Sequence, residues 1–199
     1  MSGQAGDRLP FPSRGGEGEV PLPDAASSPS AGWRAGVVLP LPEPHAARLR
    51  AVRAGAGDPL ASVPAHLTLV TGAVVSDWDA VREHVRAVAA VTPPAEVGFR
   101  GAATFRPLTP VVYAPVATGE RWCRSLHAAL QAGPLDGDPA YPFVPHVTLA
   151  HGVDEAVLDG LMESQTGVEF SFRADRLALY ADAGDGLWRP LGEHPLLGA

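Results

Sequence analysis

The sequence predicts an α+β fold made of two similar halves related by a pseudo-twofold axis. Three observations carry that expectation. Strand and helix signals alternate from Trp33 onward. The order strand, helix, strand, helix, strand occurs twice, with Val37-Val38-Leu39 matching Val111-Val112-Tyr113. Each half also carries nearly the same segment in its second strand: His66-Leu67-Thr68-Leu69 and His146-Val147-Thr148-Leu149, with Pro64 and Pro145 just upstream. A pseudo-twofold axis would bring these two strands to the centre of the molecule.

Residues 1–31 are rich in Gly, Pro, Ser and Asp without periodicity, the composition of a disordered tail. Residues 32–199 read as a single domain, with halves at about 33–107 and 108–191. In the first half, 35–41 is a short apolar strand and 43–54 a helix with Leu49 and Val52 on one side. The first motif lies on a strand over 65–75. Ser76 then caps a helix running to about residue 90, with Val81, Val85, Val88 and Ala89 on one face, and Thr92-Pro93-Pro94 ends it. Residues 95–105 form another strand. In the second half, 110–116 is a strand and 118–132 a helix with Trp122, Leu126, Ala129 and Leu130 inward. Residues 133–139 make a loop, and 143–151 the second motif strand. Asp154 caps a helix to about 164, and strands over 168–172, 176–180 and 187–191 close the sheet.

Composition narrows the function. Of the 199 residues, 46% are hydrophobic, enough for a packed interior. The net charge of −7, with every basic residue an arginine, argues against coating long duplex nucleic acid. It permits a small phosphate or an RNA end held by a few arginines. The single cysteine, Cys123, suits a reducing compartment. No apolar run approaches the ~20 residues of a membrane span, and the N-terminus lacks a signal-peptide core. The expectation is a cytoplasmic monomer without membrane contact.

The motif acquires chemical meaning from the strand period. Residues i and i+2 share a face, so His66 goes with Thr68 and His146 with Thr148, while Leu67, Leu69, Val147 and Leu149 point the other way. One such segment is a half-buried histidine with a hydrogen-bond partner. Two in matching contexts place two imidazoles around one pocket with two hydroxyls between them. A metal fits poorly. His146 and His151, five apart on a regular strand, point to opposite faces, and neither motif has a nearby carboxylate to complete a zinc site with His66 and His146. No cofactor is expected.

These paired motifs resemble those of the 2H phosphoesterase superfamily, and Phe143-Val144-Pro145-His146-Val147-Thr148-Leu149-Ala150 is most similar to its branch of bacterial 2′-5′ RNA ligases and RNA 2′,3′-cyclic phosphodiesterases. The resemblance covers roughly residues 33–191. It implies a bilobal fold with antiparallel sheets lining a central cleft and helices outside. It also implies metal-independent phosphodiester chemistry, with His66 and His146 as the catalytic pair and Thr68 and Thr148 binding the phosphate. Many members of that branch have an arginine where this chain has His151, a weaker anion anchor. Phe143 is a candidate for stacking on a base, and Arg100 and Arg106, with His151, are candidate substrate contacts. The expected activity is opening of a 2′,3′-cyclic phosphate, on an RNA end or small cyclic nucleotide, to a 2′-phosphate, with 2′-5′ ligation as the reverse. The alternative is a non-catalytic phosphate or RNA-end binder on the same fold.

Overall fold

The chain runs β1 (Trp33–Pro40), α1 (His45–Gly55), β2 (His66–Val75), α2 (Trp78–Val91), β3 (Ala95–Arg100), β4 (Ala103–Thr104), β5 (Val111–Thr118), α3 (Glu120–Gln131), β6 (His146–His151), α4 (Glu155–Ser164), β7 (Glu169–Ala174), β8 (Arg176–Asp182) and β9 (Trp188–Pro195). The structure, a computed structural model, describes residues 32–137 and 141–198. The tail expected over residues 1–31 lies outside them.

The strands form one antiparallel path, β7-β3-β5-β6-β2-β1-β8-β9, with the two-residue β4 added beside β5. The motif strands β2 and β6 are adjacent at its middle, as the pseudo-twofold requires. They meet at one pairing, Leu67 opposite Val147. On either side β2 pairs with β1, and β6 with β5. Beyond that the halves exchange strands: β3, from the first half, pairs with β5, and β8, from the second, pairs with β1. The sequence boundary near residue 107 is therefore not a boundary in space. Each half's first strand has one edge taken by its own motif strand and the other by a strand from the opposite half.

The helices follow the same exchange. α1 packs on β6, and α3 on β2. α2 buries Trp78, Val81, Val85, Val88 and Ala89, the expected stripe extended by one turn. Its cap is Asp77 rather than Ser76: the Asp77 carboxylate accepts the Ala80 N–H at 2.9 Å, satisfying one of the helix's unpaired donors. In α3 the buried face is Cys123, Leu126 and Leu130, so Ala129, expected inward, is exposed. Two helix histidines fasten elements together. His84 Nε2 donates to the Leu130 carbonyl at 3.0 Å, tying α2 to α3, and His127 Nδ1 donates to the Leu69 carbonyl at 2.7 Å, tying α3 to β2. The His84 ring leaves no room at Gly133, where a Cβ would lie 2.7 Å from its Cε1. Among the described residues no helix is long and apolar enough to cross a membrane.

Candidate active site

His66 and His146 are the first residues of β2 and β6, and each is followed by the burial pattern the motif predicts. Leu67, Leu69, Val147 and Leu149 are all buried in the core, and the histidines and threonines are half-buried on the opposite face. Because β2 and β6 are antiparallel with Leu67 opposite Val147, the register sets His66 beside Thr148 and Thr68 beside His146. The four side chains line one cleft of about 210 Å³.

Both imidazoles are oriented the same way. His66 Nδ1 lies 2.8 Å from the Pro64 carbonyl, and His146 Nδ1 lies 2.6 Å from the Val144 carbonyl, each two residues upstream. A carbonyl only accepts, so Nδ1 carries the proton in both rings, and Nε2 is the lone-pair nitrogen of the neutral form. Burial holds His66 well below the ordinary imidazole range, at about 4; the Pro64 bond opposes this, while the Arg53 and His146 charges add to it. Burial lowers His146 as well, against its bond to Val144. The Phe105 and Tyr113 rings stack on each other at 4.1 Å, and each meets the His146 ring edgewise with centroids 5.0 Å apart.

The cleft also contains Thr71 and His151, each five residues after its motif histidine. On a regular strand both would face away. A β-bulge in each strand corrects the phase. Opposite β1, Val70 pairs with Val37 and Thr68 with Val38, leaving Leu69 as the extra residue. Opposite β5, Ala150 pairs with Val112 and Thr148 with Tyr113, leaving Leu149 extra. The extra residue inverts the alternation, so Val70 and Ala150 turn to the core and Thr71 and His151 turn to the cleft. The expectation that His146 and His151 face opposite ways is thereby overturned. The signal lay in the paired apolar residues Leu69-Val70 and Leu149-Ala150, which break strict alternation.

Arg53, which the sequence reading did not single out, enters from the last turn of α1 and lines the cleft while only 5% exposed. Its Nε donates to Asp58 Oδ2 at 2.8 Å. Asp58 is itself buried; Oδ2 also accepts the His151 N–H at 3.2 Å, and Oδ1 accepts the Leu60 N–H at 2.7 Å. One carboxylate thus joins α1, the turn after it and the bulged end of β6.

Three expected substrate contacts lie elsewhere. Phe143 stacks on His127, with centroids 4.0 Å apart and planes 9° apart, and packs against the core rather than lining the cleft. Arg100 forms an exposed ion pair with Glu169 at 2.7 Å. Arg106 is bound to Glu155 at 2.5 Å and Asp159 at 2.8 Å, both on α4. The carboxylates that pair with these arginines come from distant sequence, so the ion pairs are not legible from the arginines' own neighbours. The aromatic ring at the cleft is Phe105, beside Leu60, Val63 and Val111. Among the described residues no group of three or more His, Cys, Asp or Glu is gathered as a metal ion would require.

A model of the 2′-5′ RNA ligase superfamily matches residues 41–186, which include both motifs. The chain belongs to that superfamily of 2H phosphoesterases. Over 97 residues it is 35% identical to a Bacillus pumilus protein named "Putative phosphoesterase", a match spanning 48% of this chain and 56% of that one. A Geobacillus kaustophilus protein given the same description is 28% identical over 134 residues, 64% of this chain and 76% of its own length. The chain therefore spans little more than half of the first of these relatives. The 2H fold is shared with E. coli LigT in its apo form, at a TM-score of 0.59 and 21% identity over 84% of this chain and 99% of that one. It is shared also with TT0787 of Thermus thermophilus, at 0.55 and 21% over 83% and 98%. Identities this low carry the fold and no more.

Proposed function

We propose that this chain hydrolyses a 2′,3′-cyclic phosphate, on an RNA end or a small cyclic nucleotide, to a 2′-phosphate without a metal, using His66 and His146 as acid and base. The reading rests on one observation above the others: two His-x-Thr segments meet across the Leu67–Val147 pairing, with all four polar side chains in one cleft. In the same vein, E. coli LigT has been crystallised with 3′-AMP, with ATP, with NADP+ and with phosphate.

In the reaction one imidazole takes a proton from water through Nε2 as the water oxygen bonds to phosphorus. The other, protonated, gives its proton to the 3′-oxygen as the P–O3′ bond breaks. The two rings end in exchanged protonation states, which solvent resets. Thr68 and Thr148 donate hydrogen bonds to the non-bridging oxygens, where negative charge grows in the transition state. Both rings are neutral in the free protein, since burial lowers their affinity for protons. The phosphodiester anion supplies the opposite charge that favours protonation of one of them. With a 5′-hydroxyl in place of water, the same steps give a 2′-5′ linkage.

The deciding experiment follows cleavage of a 2′,3′-cyclic-phosphate-ended RNA in excess chelator, wild type beside His66→Ala. A 2′-phosphate product that is lost in the variant is expected. Undiminished turnover by the variant would remove the two-histidine scheme, and tight binding without turnover by the wild type would favour a phosphate-binding role.

A further inference from the structure

We propose that Arg53 is the anion-binding residue of the cleft, its terminal nitrogens gripping the substrate's phosphoryl oxygens while Asp58 holds Nε. The inference rests on the phosphoester reading above and adds the residue that recognises the charge.

Four observations carry it. Of the side chains lining the cleft, Arg53 alone has a permanent charge; the rest are histidines, threonines and apolar groups. The protein is acidic, with a net charge of −7, so an anionic ligand is attracted by a local cation and not by the overall field. Arg53 is nineteen-twentieths buried, yet Asp58 takes only its Nε, and among the described residues the Nη nitrogens make no hydrogen bond. Neither Nη nitrogen is among the buried unpartnered atoms, so the end of the guanidinium opens on the cleft with its donors free for a ligand. Finally, the Asp58 oxygen that orients Arg53 also accepts the His151 N–H, tying the guanidinium to the end of the second motif strand. The cation arrives from α1, and its planar fork presents two parallel donors to a phosphoryl group.

The test is calorimetric binding of 2′-AMP and of inorganic phosphate to the full chain, wild type against Arg53→Met and Arg53→Lys. Removing the guanidinium should weaken 2′-AMP binding by roughly 10- to 100-fold, the range for a hydrogen-bonded charge. Lysine keeps the charge without the fork and should weaken it by roughly 3- to 10-fold. Should Arg53→Met fail to fold because Asp58 is left buried and unpaired, the double variant Arg53→Met/Asp58→Asn replaces it, and Arg53→Lys supplies an independent comparison. Folded variants that bind like wild type would overturn the assignment, as would a wild type that binds neither probe at millimolar concentration. Since turnover is not read, a wild type that binds through Arg53 but cleaves no cyclic phosphate would refute the proposed reaction and leave the anion site standing.

Discussion

Leu67 lies opposite Val147, and this single pairing joins the two halves of the sheet. Both side chains are buried beneath the cleft, so the contact that closes the core also fixes the distance between His66 and His146 on its other face. Recognition, geometry and stability meet at one point of the sheet.

Replacing either histidine should therefore remove chemistry without removing the fold. His66→Ala and His146→Ala are each expected to lower kcat by at least ~100-fold, the scale of a lost acid or base. Thr68→Val and Thr148→Val keep the shape but lose a hydroxyl donor, and should lower kcat by roughly 10-fold or more. Single-turnover rates on a cyclic-phosphate RNA, beside circular dichroism spectra, measure both. Rates within a few-fold of wild type would show that the four side chains are not the reacting set.

The motif was legible because a strand's period of two is local: His-x-Thr states its own geometry. The bulges at Leu69 and Leu149 were not, because an extra residue is defined only against the partner strand, and β1 and β5 lie about thirty residues away in sequence. The repeat predicted the pseudo-twofold but not the exchange of β3 and β8, since which edge a third strand joins is a non-local choice. Arg53 was hidden for another reason. A basic residue in the last turn of a helix is the ordinary complement to the helix dipole and reads as solvated surface. Only the packing of α1 on β6 turns it inward.

Phe143 illustrates the converse, an aromatic beside the motif that serves packing. It stacks on His127, whose Nδ1 is bound to the Leu69 carbonyl, so the pair clamps α3 to the strand that carries His66. Phe143→Ala should lower stability by about 2 kcal/mol, below the range for a wholly buried ring because Phe143 is half-buried. KM for a nucleotide substrate should stay within about twofold of wild type. Urea unfolding and Michaelis curves test the two halves of this statement, and a raised KM with unchanged stability would return Phe143 to the binding surface.

Cys123 is buried on the inward face of α3. Burial pushes its thiol up to about 12, with Glu120 adding to the effect against a backbone hydrogen bond. The thiolate is the reactive form, so at pH 8 the native protein should resist a disulfide reagent and react stoichiometrically once unfolded. Rapid labelling of the folded chain would mean that α3 opens readily from β2.

The burial of the two histidines ties stability to pH. Folded His66 takes a proton only near pH 4, whereas in the unfolded chain it does so near 6.5. Between those values the unfolded state binds more protons, so acid favours unfolding. The contribution of His66 is fully present above about pH 6.5 and is lost as pH falls through about 4; His146, lowered in the same direction, adds to the slope. Tm should fall steeply from pH 6.5 to 4, and His66→Gln, which carries no titrating ring, should flatten that fall. Bound 2′-AMP should oppose it, because an anion beside the rings raises their affinity for protons in the folded state. Thermal melts across this window, with and without the nucleotide, make the comparison. Equal slopes for wild type and His66→Gln would show that His66 titrates alike in both states and that the cleft does not hold its ring in the neutral form.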